Sequence, residues 1–320
     1  KRDIELRPGT VVDGKWHHNR YVIQKKLGAG AVGSVFLAKN SSGSQVALKI
    51  SNQSASLTVE VNVLKSLQRV QGNRLGPSLF DVDDWKSPLG KNYSFYVMEY
   101  VNGVDLHSFI KNRGKGWIGV FMLQLLNDLE KLHQTGWVFG DLKPENLLIV
   151  SQPVRIRWID VGGTTQQGRA IKEYTEFYDR GYWGMGTRKA EPSYDLFSFV
   201  LIFIEACTGG QFTKGSNPKQ TLLHKLDTVK PLKPFRIPLK KALNGKYDSA
   251  SEMRQDLKKI MYDLQQRSRR SRKKAKAQVK QKQWMPLLAD PAGIMIVACI
   301  YCLKSLIPFV ACNLSNFLYK

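Results

Sequence analysis

Apolar and polar positions alternate along the first hundred residues in the way of half-buried strands. "RYVIQKKL" (20–27), "SVFLAK" (34–39) and "QVALKI" (45–50) read as three strands, joined by the Gly-rich turn "GAGAVG" and the hairpin turn "SSGS". The period then changes. In "SASLTVEVNVLKSLQ" (54–68), Leu57, Val61, Leu64 and Leu67 recur at helical spacing, with Ser54 or Ser56 as the N-cap. "YSFYVMEYV" (93–101) returns to strand. Beyond it the pattern is helical. "GVFMLQLLNDLEKLHQTG" (119–136) is long, periodic and closed by Gly136, and "SYDLFSFVLIFIEACTGG" (193–210) is apolar nearly all round, as a helix at a domain centre would be. A β-rich first third followed by helices predicts an α+β protein of two lobes.

Charge divides the chain into three zones. Residues 1–264 hold 38 Lys and Arg against 25 Asp and Glu. Residues 265–289 hold no acid and nine basic residues, and from Pro291 onward Lys304 and Lys320 are the only charges. The net charge of +23 favours anionic partners such as nucleic acid, anionic membrane or acidic protein. Of the four cysteines, Cys299, Cys302 and Cys312 crowd into the apolar end and Cys207 stands alone. That is no disulfide framework, and it places the bulk of the chain among reduced, cytosolic proteins.

Several separated motifs carry chemistry. Gly28, Gly30, Gly33 and Val35 form G-x-G-x-x-G-x-V between two strands, where glycines let backbone N–H groups approach phosphates. A dinucleotide fold would follow such glycines with a helix, and here a strand follows. "VALK" places Lys49 on the third strand, within reach of α- and β-phosphates. Its carboxylate partner is best sought at Glu60 in the next helix; Glu130 and Glu252 are alternatives outside that helix. "GDLKPENLL" supplies Asp141, Lys143 and Asn146, and "WIDVGG" supplies Asp160. Taken singly, each is an unremarkable surface residue.

In this order the motifs resemble those of the bacterial eukaryotic-type (Hanks-type) Ser/Thr protein kinases, over about residues 21–264. The resemblance implies a bilobal fold, a β-rich N-lobe (about 21–100) and helical C-lobe (about 101–264), with ATP and Mg2+ in the cleft between them. It implies that Asp141 orients the proton of a substrate hydroxyl, that Lys143 steadies the γ-phosphoryl charge, and that Asn146 and Asp160 hold the metal. It further implies Met98 as gatekeeper, a hinge at Glu99, Tyr100 and Val101 facing adenine, Asp105 at the ribose, and Val35 and Ala47 against the adenine ring. Thr175 would bond Asp141 and Lys143, and Asp195 would anchor the catalytic loop.

The chain also departs from the family pattern. The usual His-Arg before the catalytic Asp reads Phe139-Gly140, so the Arg that grips a phosphorylated activation loop is gone. "DVG" stands for "DFG", and Asp179-Arg180-Gly181 stands for Ala-Pro-Glu. Thr164 and Thr165 are candidate autophosphorylation sites, with self-association as the route. These departures motivate a pseudokinase, a non-catalytic binding or scaffolding module, as the alternative; the retained Lys49, Asp141, Asn146 and Asp160 argue against it.

The C-terminal zones predict location and control. Residues 290–314 are expected to form a transmembrane helix, since Ala292–Cys312 would span about 31 Å, flawed by Lys304 and Pro308. The basic segment, 265–289, would keep the kinase domain on the cytoplasmic side of the cell membrane. Arg269, Lys273, Lys276 and Lys280 fall at i, i+4, i+7 and i+11, one stripe of a helix, with Arg270 and Arg272 beside it. Such a stripe suits the phosphates of DNA without sequence reading, or the headgroups of anionic lipid. A second cluster (Lys225, Lys230, Lys233, Arg236, Lys240, Lys241, Lys246) adds to it. This layout is similar to that of DNA-binding membrane kinases of spore-forming bacilli, a resemblance that implies activation by DNA.

Overall fold

The computed structural model describes residues 4–30, 32–68, 75–289 and 295, without the side chains of 277 and 279–289. Contacts divide the chain into a compact unit, Lys1–Ile260, and a second, Met261–Lys320.

The first unit opens with a six-stranded antiparallel sheet: β1 (Val11–Asp13), β2 (Arg20–Ala29), β3 (Ser34–Asn40), β4 (Gln45–Ser51), β5 (Leu79–Lys86) and β6 (Asn92–Glu99). Their order is β1-β2-β3-β4-β6-β5. Period two decides which side chains share a face. Tyr21 and Ile23, Phe36 and Ala38, Val46, Leu48 and Ile50, and Phe95 and Val97 form one buried cluster with Trp85. Ala47 and Lys49, one residue out of step, therefore take the opposite face, where the helix α1 (Ser54–Gln68) lies against β5 and β6. The lobe also begins earlier than residue 21. Ile4 and Leu6 pack on the same core, and β1 pairs with β2 through Val12 and Tyr21.

The rest of the unit is helical, with short hairpins. It runs α2 (Leu106–Arg113), α3 (Trp117–Gln134), β7 (Trp137–Val138), β8 (Leu147–Ser151), β9 (Val154–Trp158), β10 (Thr165–Gln166), α4 (Pro192–Thr208), α5 (Pro218–Thr228) and α6 (Arg236–Leu243). In α4 every residue from Tyr194 to Ile204 is buried, as its unbroken apolar run predicts. Pro192 opens it and Gly209, at φ +84°, closes it in the left-handed conformation.

The last helix, α7 (Ala250–Ala289), continues without a break through the expected boundary at 264/265 and along the basic run. Among the described residues no helix is long and apolar enough to cross a membrane. The expected span, 290–314, lies outside the described residues except for Met295.

Candidate active site

Two strands and one turn build the upper wall. Register sets Val35 opposite Lys49 across β3 and β4, and Ala47 opposite Met98 across β4 and β6. The glycines at the β2–β3 turn differ in what requires them. A Cβ on Gly33 would lie 2.3 Å from the Ile50 carbonyl oxygen, so this position admits only Gly. At Gly28 and Gly30 a Cβ would meet nothing within 4 Å. The fold itself does not need glycine there, whereas a phosphate approaching the backbone would.

Lys49 is no solvated strand-end lysine. It is 4% exposed, and its Nζ lies 2.7 Å from Glu60 Oε2 and 3.6 Å from Asp160 Oδ1. Burial opposes the ammonium charge, but Asp160 and Glu60 outweigh it and raise the Lys49 pKa. Tyr96, opposite Lys49 on β6, donates to the same Glu60 oxygen at 2.9 Å. The alternative partners are engaged elsewhere: Glu130 pairs with Arg254 at 2.5 Å, and Glu252 accepts from the Asp248 N–H.

The catalytic loop forms the lower wall. Asp195, at the start of α4 and fully buried, accepts from the Phe139 N–H at 2.8 Å and the Gly140 N–H at 3.0 Å. His133 Nε2 lies 2.8 Å from the same carboxylate. Asp195 of α4, itself bonded to His133 of α3, thus holds the loop from beneath. Phe139 fills its place in the core edge-on to Trp158, with ring centroids 5.0 Å apart. Above this anchor Lys143 Nζ pairs with Asp141 Oδ2 and donates to Thr175 Oγ1 at 3.1 Å, and Thr175 donates to Asp141 Oδ1 at 2.9 Å. The Asn146 amide donates to the Asp141 carbonyl at 2.9 Å, which leaves its own oxygen for another partner. Asp160 Oδ1 accepts from the Gly162 N–H at 2.9 Å. Asn146 and Asp160 thereby offer the hard oxygen donors that a divalent cation takes.

Downstream, Asp179-Arg180-Gly181 supplies a different anchor from the absent Ala-Pro-Glu. Asp179 is fully buried and accepts from the Gly181 and Tyr182 N–H groups, Arg188 Nε (2.8 Å) and the Tyr194 hydroxyl (2.9 Å). Arg180 donates to the Thr187 carbonyl, Ser193 and Glu191. Spacing gave no signal of this network, because its partners are irregularly placed. Thr164 is only 5% exposed, so its hydroxyl is closed to phosphorylation in this conformation; Thr165 is half-buried.

Other expected residues sit where local structure uses them. Asp105 caps α2, accepting from the Ser108 N–H at 2.8 Å. Val101 is buried, and the Glu99 side chain forks onto Arg157, a partner that spacing did not reveal. On α7, Arg267, Arg269, Arg270, Arg272, Lys273, Lys274 and Lys276 are all exposed, while the side chain of Lys280 lies outside those described.

The protein kinase domain family matches residues 21–285. The serine/threonine-protein kinase YabT of Bacillus subtilis is 53% identical over 253 residues, covering 79% of this chain and 75% of its own length. The serine/threonine-protein kinase cek1 of Schizosaccharomyces pombe is 34% identical over 148 residues, 45% of this chain and 11% of its own. Among solved structures, a double mutant of the Mycobacterium tuberculosis PknI kinase domain aligns with a TM-score of 0.56 at 19% identity. It covers 81% of this chain and 100% of that one, a likeness of fold alone.

Proposed function

The chain belongs to the protein kinase family as a serine/threonine protein kinase, and from that premise we propose a membrane-anchored enzyme controlled through its basic segment by DNA. Membership implies ATP, a divalent metal and protein substrates; Mg2+ is the cation that two oxygen donors and the phosphates of ATP suit. Bound there, the metal neutralises phosphate charge. Lys49, fixed by Glu60, holds the α- and β-phosphates. Asp141 orients the substrate hydroxyl and takes its proton, Lys143 steadies the transferred group, and Asn146 and Asp160 are the metal ligands. The hinge backbone at Glu99–Val101 and the apolar Val35 and Ala47 take the adenine, and Asp105 the ribose.

The observation that carries catalysis over scaffolding is the closed triangle of Asp141, Lys143 and Thr175 together with the Lys49–Glu60 pair. A pure scaffold has no need of both. Control by DNA rests on α7, which presents an exposed, acid-free basic face over Arg267–Lys276. Phosphate contacts of this kind are non-specific and salt-dependent. Residues 290–314 would anchor the enzyme in the cell membrane with the kinase domain cytoplasmic. Copies gathered on one DNA would then phosphorylate one another.

The full chain in detergent or lipid, given labelled ATP and Mg2+, tests this with double-stranded DNA and with anionic vesicles. Transfer stimulated by DNA, lost in Asp141→Asn and unstimulated once Arg269, Arg270, Arg272, Lys273 and Lys276 are neutralised, is expected. Stimulation by vesicles alone would assign the segment to lipid. No transfer in any condition would favour the pseudokinase.

A further inference from the structure

Arg157 lies outside every motif, yet it joins three elements. Its Nη1 is 2.6 Å from Glu99 Oε1 and its Nη2 is 3.0 Å from Glu99 Oε2, a bidentate fork. Nη2 also donates to the Gly76 carbonyl at 3.0 Å, in the segment between α1 and β5. Ser78 N–H donates to the same Glu99 carboxylate at 3.2 Å. The two charged side chains are 15% and 24% exposed, so water and salt screen the pair less than a surface ion pair. Burial works against the Glu99 charge, but Arg157 and Ser78 hold its carboxyl below the usual range.

The two ends of this pair belong to different halves of the nucleotide site. Glu99 closes β6, whose register with β4 carries the constraint to Lys49: Val46 faces Glu99, and Lys49 faces Tyr96. Arg157 stands in β9, paired with Leu148 of β8. That hairpin starts beside Asn146 and ends beside Asp160, and the Ile159 N–H closes it on the Asn146 carbonyl at 3.0 Å. A second tie follows at once. Val104 and Ile149 exchange both backbone hydrogen bonds, at 3.1 and 2.8 Å, and Gly103 packs where a Cβ would be 2.8 Å from the Ile149 oxygen. Residues 100–102 are therefore pinned on both sides to the hairpin that is flanked by both proposed metal ligands.

We infer that Arg157 is a positioning residue for nucleotide capture: by clamping Glu99 it sets the separation between Lys49 above and Asn146 and Asp160 below. The backbone tie at Val104 alone would allow the sheet to pivot. A guanidinium fork with a third bond to Gly76 removes that freedom, and a lysine, with no planar fork, would restore only part of it. The effect belongs to ground-state binding, because Arg157 touches none of the groups around Asp141. The inference rests on the kinase reading, and transfer by the unaltered chain separates a failure of one from a failure of the other.

The test compares Arg157→Met, Arg157→Lys, Glu99→Gln and the Arg157→Met/Glu99→Gln pair in the full chain. Calorimetry with Mg-ADP reads binding, steady-state transfer reads KM for ATP against kcat, and melting without nucleotide reads folding. Arg157→Met is expected to weaken Mg-ADP about tenfold and raise KM to match, with kcat within about twofold; Arg157→Lys should fall between. Adding Glu99→Gln to Arg157→Met should cost nothing further, the mark of a shared interaction. Unchanged Mg-ADP affinity, additive losses, a fall in kcat alone, or a lowered melting point with intact binding would each overturn it.

Discussion

Gly140 meets Gly163 backbone to backbone: a methyl on Gly140 would lie 2.5 Å from the Gly163 carbonyl oxygen. Gly163 in turn leaves no room for a side chain, since its Cβ would be 2.6 Å from that of Asp141. Gly140 also holds φ at +78°, a conformation costly for any other residue type except Asn or Asp. The glycine that stands for the family's arginine is thus packed backbone to backbone against the following segment.

Restoring that arginine should therefore break the enzyme rather than add a switch. Gly140→Arg and Gly140→Ala both displace Asp141, and a shift of about 1 Å at a reacting group costs on the order of a hundredfold in rate. Phosphate transfer to a protein substrate measures it, and wild-type activity in either variant would refute the packing argument.

Asp195 ties two loop amides and His133 to the start of α4. Asp195→Ala leaves three buried polar groups without their acceptor. A loss of about 3–5 kcal/mol is expected in urea unfolding, with Asp195→Asn milder because one acceptor oxygen remains. Loss of activity with unchanged stability would mean the anchor is not structural.

Lys49→Met leaves Glu60 and Asp160 facing each other without a cation. Transfer should drop by at least about a hundredfold, the scale of a lost electrostatic stabiliser. Glu60→Gln, which keeps a hydrogen-bond partner for Tyr96, should drop less. The two carboxylates raise the Lys49 pKa, whereas burial raises that of Glu60, so the ion pair loses its charge from the acid side, as Glu60 takes up a proton, before Lys49 gives one up. Wild-type transfer by Lys49→Met would contradict this role.

A pH-sensitive clasp lies on the far side of the sheet. His17 Nδ1 is 2.6 Å from Asp81 Oδ1, and Asp81 also accepts from Asn19 and Tyr21. The hydrogen bond to Asp81, then its charge, raises the His17 pKa. A raised histidine contributes fully below its unfolded value, about 6.5, and loses that contribution as pH rises through the folded value. Melting temperature should thus decline as pH climbs above about 6.5, and His17→Gln should flatten the decline. An identical slope in the variant would place the titration elsewhere.

Much of the site was legible because kinase chemistry sits on short local motifs. Period two placed Lys49 on the face opposite Leu48 and Ile50, and the switch to helical spacing placed Glu60 on the next element, where the structure pairs them. The structure adds a role to Asp105: it caps α2, as Asp residues before helices commonly do. β1 was not foreseen, being only three residues long.

Element type, the order of the lobes and the glycines between β2 and β3 follow from the sequence alone, because periodicity and backbone freedom are properties of neighbouring residues. The partners of Arg157, Asp179 and Gly140 were decided only by tertiary structure. Glu99 and Arg157 are 58 positions apart, and Asp179 meets Tyr194 from 15 positions away. No spacing rule connects such residues; they meet because a sheet, a hairpin and a buried helix pack in one arrangement, and the electrostatics of the site follow from that packing.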